Sequence, residues 1–309
     1  YDKALEAESV SERFALMAIA EAKLLESGVM LPSTSKGGNY AISRVAPKTI
    51  NSTLWGNDSD RFHQVIAVAG ENFLLKSEVE EMKAKWAEVK GTGTYEEWVK
   101  KYLTDKGYTL TDEYSWPYTS DPVVWDALNS YRAADAEAIV NTYDGLLEYD
   151  IENVQQPALA TGYTVSDDGL TYTFKLREGV NWVDNQGNVI EKLTADSFVA
   201  GMQHMLDAKG GLEYLVDGKI KNASQYMAGE ITDFAEVGVK AVDEYTLEYT
   251  LEAPCTYFTT MLGYGVFAPM SRAYFTANGG AFGVEEYAAA SATDAYTYGT
   301  APDKIAYCG

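Results

Sequence analysis

Few residues in this sequence have the type and spacing that run chemistry. Asp184-Asn185-Gln186-Gly187-Asn188 followed by Glu191 offers oxygen donors in a loop, as calcium sites do, but its Gly stands fourth rather than sixth and its Glu eighth rather than twelfth. That spacing predicts a plain turn. Asn57-Asp58-Ser59-Asp60 also lacks the calcium-loop spacing and reads as a solvated loop. Glu285-Glu286 supplies paired carboxylates, yet sequence neighbours point apart on a helix, so the pair reads as surface charge. With two His (His63, His204), two Cys (Cys255, Cys308) and no Cys-x-x-Cys, there is no imidazole or thiolate cluster to bind zinc or run a Ser/His/Asp relay. No catalytic residue, metal ligand or cofactor is therefore expected. The two cysteines could pair in an oxidising compartment or remain buried thiols. Asn222-Ala223-Ser224 fits a glycan acceptor pattern that a chain of this size shows by chance, and it receives no function.

Aromatic side chains are the remaining candidates, because they offer a flat stacking face with a polar edge. The chain has 23 Tyr and 6 Trp. Tyr172, Phe174, Trp182 and Tyr249 fall at strand positions that a core would claim. Trp125 and Tyr131 lie in the loop over 120–133, free of that duty, and are the better ligand candidates.

These residues need elements to hold them. Residues 9–27 place Val10, Phe14, Met17, Ala18, Leu24 and Leu25 on one helical face, with Gly28 as a stop. Val29-Met30-Leu31-Pro32 reads as a short buried strand, and residues 40–45 as another extended piece. Residues 72–90 repeat Leu75, Val79, Met82, Trp86 and Val89 at helical steps, and Thr94 with Glu97 forms a capping box for a second helix. This charged, helical stretch from about 70 to 112 reads as a linker between two α/β regions. Beyond it, 161–166 and 170–177 flank Asp167-Asp168-Gly169 as a hairpin with Leu170, Tyr172, Phe174 and Leu176 on its buried face. Thr194 caps a helix with a core stripe of Phe198, Val199, Met202, Met205 and Leu206. A second hairpin spans 237–251 around Asp243-Glu244. The order is mixed α/β or α+β.

Composition narrows the classes. The 309 residues make room for about two domains at ~150 residues each, and 46% apolar content with 13% aromatics excludes a disordered chain. No apolar run approaches the ~18–20 residues that span a bilayer, so no membrane insertion of this segment is expected. The 24 Lys and Arg against 46 Asp and Glu leave a net charge of −22, which repels phosphate backbones and makes nucleic acid a poor partner. Tyr1 and the final Cys308-Gly309 both read as cuts, so the missing signal peptide says nothing of location.

Several segments, in order, resemble the family 5 solute-binding proteins, the oligopeptide and dipeptide receptors of ABC importers. They are Leu146-Leu147-Glu148-Tyr149-Asp150, Pro157-Ala158-Leu159-Ala160, the run from Val165 to Trp182, Leu193-Thr194-Ala195-Asp196-Ser197-Phe198, the run from Val239 to Leu247, Pro269-Met270-Ser271 and Gly299-Thr300-Ala301-Pro302. Tyr1-Asp2-Lys3-Ala4-Leu5, the helix through 20–25 and Val29-Met30-Leu31-Pro32 resemble the opposite, closing end of such a receptor. The order is tail, linker, head. A fragment spanning the junction of two tandem units explains it better than a circular permutation, because both ends look cut and the large third lobe is missing.

The resemblance implies a type II periplasmic-binding-protein-like α/β fold, with a mixed-sheet lobe and a smaller α+β lobe. Residues 1–66 would be a C-terminal closing segment, 67–112 the helical linker, 113–150 the start of lobe one, 151–290 the small extra lobe and 291–309 a return segment toward lobe one. It implies an extracytoplasmic, non-catalytic receptor, a lipoprotein when intact, that passes peptide ligands to ABC transporter permease subunits. Tyr131, Arg132 and Ala133, in the loop that meets ligand in the family, would face the peptide, as would Ser33 and Thr34 after the first strand. Two rival readings stand beside it. One is a carbohydrate-handling protein, either an oligosaccharide binder or an enzyme with two carboxylates about 5–9.5 Å apart across a cleft. The other is an inert fragment whose helices tether two receptor units.

Overall fold

The computed structural model describes residues 1–30, 42–51, 60–113, 115 and 120–309. Two hydrophobic cores organise them. The smaller gathers Ala46, Ile66, Val68, Met82, Val99 and Leu103, with Tyr95. The larger fills the chain beyond Leu128.

At the start, α1 (Asp2–Leu5) precedes α2 (Val10–Glu26), which Ser9 caps by accepting from the Glu12 amide at 3.2 Å. The expected helix is present, but its apolar stripe packs into no core: no residue of α2 is buried and Phe14 is 68% exposed. A capped helix of this length holds its backbone without a partner, so periodicity locates an apolar face and leaves open what covers it. Val29 and Met30 are exposed and lie in a bend rather than the expected strand, while Leu31, Pro32, Tyr40, Ala41 and most of Asn57-Asp58-Ser59-Asp60 fall outside the described residues. Of the extended piece expected over 40–45, residues 42–45 are described, and Val45 makes an isolated antiparallel bridge to Ala67.

The stretch expected as a linker packs in the smaller core together with Ala46 and Ile66 from the segment before it. Strand β1 (Ala67–Val68) pairs antiparallel with β2 (Leu110–Thr111), and between them α3 (Lys76–Val89) and α4 (Tyr95–Asp105) pack together. Strands of two residues leave no alternation to read, which is why the sequence reading saw only helices there. The Thr94 capping box does not form. Thr94 adopts helical dihedrals after Gly93 at φ +70°, so its hydroxyl cannot reach back to the first-turn amides, and it lies 2.7 Å from the Thr92 hydroxyl instead. The neighbouring helix α3 is the one closed by a carboxylate: Glu78 Oε2 accepts from the Leu75 amide at 2.9 Å and from the Tyr108 hydroxyl at 2.7 Å.

Helix α5 (Ala133–Ile139) leads into the hairpin of β3 (Leu147–Tyr149) and β4 (Gln155–Pro157). Strands β5 (Ala160–Val165) and β6 (Thr171–Leu176) form the expected first hairpin. The short pair β7 (Asn181–Val183) and β8 (Val189–Lys192) encloses the Asp184 turn, and α6 (Ala195–Ala208) and α7 (Ala223–Met227) follow. The second expected hairpin is β9 (Val239–Asp243) with β10 (Thr246–Thr250), joining the first into an antiparallel sheet of order β5-β6-β10-β9. Helices α8 (Phe258–Met261), α9 (Arg272–Ala277) and α10 (Val284–Ser291) complete this lobe.

Register fixes the sheet's inner face. Leu247 lies opposite Phe174 and Tyr249 opposite Tyr172, so one row of large side chains meets α6. Trp182 donates its indole N–H to Ser197 Oγ at 3.1 Å, joining β7 to the first turn of α6. Gly201 lets α6 approach the following backbone, since a Cβ there would lie 2.2 Å from the Ala268 carbonyl oxygen. The architecture is mixed α and β with every ladder between named strands antiparallel. Of the mixed sheet expected for lobe one, the described residues hold the β3–β4 hairpin and a parallel bridge between Tyr143 and Cys308.

Candidate functional site

The loop before α5 carries four of the six residues singled out for ligand. Tyr131 is 72% exposed, and Ala133 is exposed at the start of the helix. Arg132 is half-exposed, its Nη1 3.7 Å from Asp135 Oδ1. Trp125 differs from these: its ring is partly buried against the larger core, and its amide donates to the Gly299 carbonyl at 2.7 Å. Residues 131–133 thus form one exposed corner, whereas Trp125 is held against the larger core earlier in the same loop. Ser33 and Thr34 lie outside the described residues. Two open clefts, of about 450 and 760 Å³, lie elsewhere, the first lined by Tyr95, Glu96, Asp150 and Glu152, the second by Arg44, Phe73, Thr111 and Glu113.

What shapes the corner is buried polar chemistry that sequence reasoning missed. Asp135 is fully buried, its carboxylate accepting from the Val123 amide at 2.8 Å and the Ser130 hydroxyl at 2.6 Å, so both ends of the loop are tied to one side chain. Asp126 is 2% exposed; Oδ1 accepts from the Leu128 amide at 3.0 Å and Oδ2 sits 2.6 Å from Nε2 of His204 on α6. Asn129 donates to the Tyr287 hydroxyl at 3.0 Å. A Cβ on Gly299 would lie 2.7 Å from that of Asp126, so the return segment must pass with a glycine there.

His204 is itself fully enclosed, its ring centroid 4.5 Å from that of Phe275 and 5.3 Å from that of Tyr287. Its Nδ1 is buried and has no hydrogen-bond partner among the described residues. A carboxylate-imidazole pair is part of a nucleophilic relay, but among the described residues no hydroxyl or thiol is hydrogen-bonded to this Nδ1. One turn along, burial raises the Asp207 carboxyl above its usual range, against hydrogen bonds from the Gly283 amide and the Tyr226 hydroxyl and the nearby His204. The signal available in sequence was a His sharing the stripe of Ser197, Ala200 and Gly201 on a buried helix.

The remaining motifs settle as structure. Asp184 Oδ1 accepts from the Gln186 and Asn188 amides at 2.9 Å, a plain turn as expected. Glu191 points away from that turn to the Ser271 hydroxyl and the Ala273 amide. Cys255 and Cys308 are free, buried thiols, and burial raises both above the usual thiol range. Among the described residues, no group of three or more His, Cys, Asp and Glu could hold a metal ion, and no helix is long and apolar enough to cross a membrane.

Residues 154–305 match the family model described as "Bacterial extracellular solute-binding proteins, family 5 Middle". The oligopeptide-binding protein AmiA of Streptococcus pneumoniae is 40% identical over 169 residues, which cover 55% of this chain and 26% of that protein. The probable deoxycholate-binding periplasmic protein YgiS of Escherichia coli is 38% identical over 154 residues, 49% of this chain and 28% of that protein. A solved oligopeptide ABC transporter substrate-binding domain from Bacillus anthracis aligns at 34% identity over 52% of this chain and 30% of its own, with a TM-score of 0.46. The match therefore spans about a quarter of the length of these curated relatives.

Proposed function

We propose that this chain, whose residues 154–305 match the model of the bacterial extracellular solute-binding proteins of family 5, serves in a receptor that captures peptides outside the cytoplasm and delivers them to the permease subunits of an ABC importer. The observation that carries this reading is the 40% identity to a protein named for oligopeptide binding. Its task is binding, without turnover. An extended peptide would lie along the loop that carries Trp125 and the corner of Tyr131, Arg132 and Ala133, its backbone bonded as an added strand and its side chains in wet pockets.

The domain reading becomes part of the same proposal. Arg61 reaches the Tyr143 carbonyl at 2.8 Å and Asn51 the Tyr149 carbonyl at 2.5 Å, which supports residues 1–66 and 113–150 as two pieces of lobe one. Residues 151–290 are read as the small lobe. Cys308 donates its amide to Thr142 O at 3.1 Å, which supports 291–309 as a segment returning to lobe one.

A second ligand class has an observation of its own, the 38% identity to a protein named for deoxycholate. Mass spectrometry of small molecules released by denaturing the gently purified protein separates the two. Mixed short peptides are expected. A bile acid or an oligosaccharide would overturn the substrate, and release of nothing, with no peptide-dependent thermal shift, would overturn binding by this chain.

A further inference from the structure

Beside the bonds that Asn129 makes to Tyr287 and Trp125 to Gly299, a buried side-chain pair joins the loop to the small lobe's core. Asp126 belongs to the loop and His204 to α6, 78 residues later in the chain. Both carboxylate oxygens of Asp126 are engaged, one by the Leu128 amide inside the loop and one by the imidazole outside it. We propose that His204 is a positioning residue for the ligand-facing loop: by holding the Asp126 carboxylate inside the small lobe, it fixes where Trp125 and residues 131–133 stand.

The physical reason is the cost of leaving a buried carboxylate short of partners. Asp126 is enclosed, and a charge-assisted hydrogen bond lost in such a site costs far more than an exposed one. Without the imidazole donor the carboxylate gains by moving toward water. The Leu128 amide and the Asn129 amide, which donates to the Asp126 carbonyl at 3.1 Å, would move with it. The sheet of β5, β6, β10 and β9 has its own ladder and depends on no atom of the pair. Loss of the donor should therefore loosen the loop and spare the sheet.

Two substitutions separate this from ordinary packing, because they fail in opposite ways. His204→Phe keeps a ring among Phe275, Tyr287 and Tyr298 but removes the donor, whereas His204→Gln gives up the ring and can offer an N–H where Nε2 stood. Amide hydrogen exchange of the full chain is the readout. In the Phe variant, exchange at Trp125, Leu128 and Asn129 is expected to rise about tenfold or more while β6 and β10 keep wild-type rates. The Gln variant should stay within about threefold of wild type throughout. Equal loosening in both variants, no change at the loop in the Phe variant, or equal acceleration in the sheet would each overturn the proposal. Should the Phe variant fail to fold, the Gln variant decides alone: wild-type loop exchange supports the anchor and accelerated exchange overturns it.

The effect on ligand rests on the peptide reading of the loop. A defined tripeptide-to-hexapeptide mixture titrated into each variant should bind about tenfold more weakly to the Phe variant than to the Gln variant. If wild type binds no peptide, the ligand reading fails while exchange still judges the anchor. If it binds and all three proteins bind equally, the positioning role is overturned.

Discussion

Nη1 of Arg61 lies 2.8 Å from the backbone carbonyl of Tyr143 and 3.2 Å from Oδ1 of Asp144, tying the segment before β1 to the segment that leads into β3, more than 80 residues later. The Arg61 side chain is 8% exposed. One nitrogen serves both acceptors in a nearly closed site, and a lysine, whose shorter stem lacks the planar guanidinium that sets Nη1 between them, cannot bring its ammonium to the same point. Arg61→Ala is expected to lower unfolding free energy by about 1–3 kcal/mol, and Arg61→Lys to recover less than half of it. Urea unfolding followed by Trp fluorescence measures both; a loss under ~0.5 kcal/mol in the Ala variant would mean that the two segments do not depend on this contact.

At Gly201 the usual effect of a helix substitution should reverse. Gly to Ala in the middle of a helix normally adds about 1 kcal/mol. Here the new methyl would meet the Ala268 carbonyl at 2.2 Å, and the atoms it meets are backbone of Ala268 and Pro269 rather than the end of a flexible side chain. Gly201→Ala is expected to destabilise by about 1–3 kcal/mol, read as a lower midpoint in thermal or urea unfolding. A stabilised variant would show that α6 can move away from the 268–269 backbone.

The parts of the fold legible in sequence were those whose evidence is local. Tyr172, Phe174 and Leu176 alternate with Thr171, Thr173 and Lys175, and the same alternation recurs at Leu247, Tyr249 and Leu251, so both hairpins stand where the pattern put them. The stripe of α6 was local too. His204 and Asp126 were not, since a pairing across 78 residues leaves no periodic trace at either end. The Thr94 cap failed for a local reason that composition hides, the positive φ of Gly93 turning Thr94 into helical dihedrals. In the loop before α5, Tyr131 and Arg132 were singled out by an aromatic face and by family resemblance, whereas the carboxylates of Asp126 and Asp135 that shape the loop left no such signal. Sequence reading marks an acid in a loop as solvated by default, and only packing shows that it is enclosed.

Asp207 gives a dependence of stability on pH with a definite sign. Burial raises its folded carboxyl above the unfolded value, so through the window between the two the folded state binds more protons, and stability falls as pH rises through it. Exposed carboxylates held low by turn hydrogen bonds, Asp168, Asp184 and Asp243, act oppositely, losing stability as pH falls. Asp207→Asn removes the first contribution and leaves the second. Unfolding free energy measured at pH 4 and pH 7 should therefore favour pH 7 more strongly in the variant than in wild type. An unchanged difference would mean that Asp207 titrates alike in the folded and unfolded chain.

Exposure of Tyr131 separates binding from folding. Its ring is 72% exposed and touches the backbone near Gly211, so Tyr131→Ala should leave stability within about 0.5 kcal/mol of wild type. If the loop is a wall of the peptide site, the same variant should bind a peptide mixture about fivefold or more weakly in isothermal titration, as should Arg132→Ala. Unchanged affinity in both would place the ligand elsewhere, the clefts beside Arg44 and Tyr95 being the next surfaces to probe by the same substitutions.

Phe14 and Met82 set two helices with the same kind of apolar periodicity against each other. Met82 on α3 is fully buried in the smaller core, whereas Phe14 on α2 is 68% exposed and its neighbour Arg13 stacks over the Tyr257 ring at 3.7 Å. The pattern is equal and the partner is not, so the energetic outcomes should part. Met82→Ala removes side-chain volume from a closed core and is expected to cost about 2–5 kcal/mol. Phe14→Ser gives up little buried area and should stay within about 0.5 kcal/mol of wild type, while its capped helix keeps its circular-dichroism signal. A loss of more than ~1 kcal/mol for Phe14→Ser would mean that the stripe of α2 is covered in solution, and dilution of the sample would then show whether a second copy of the chain covers it.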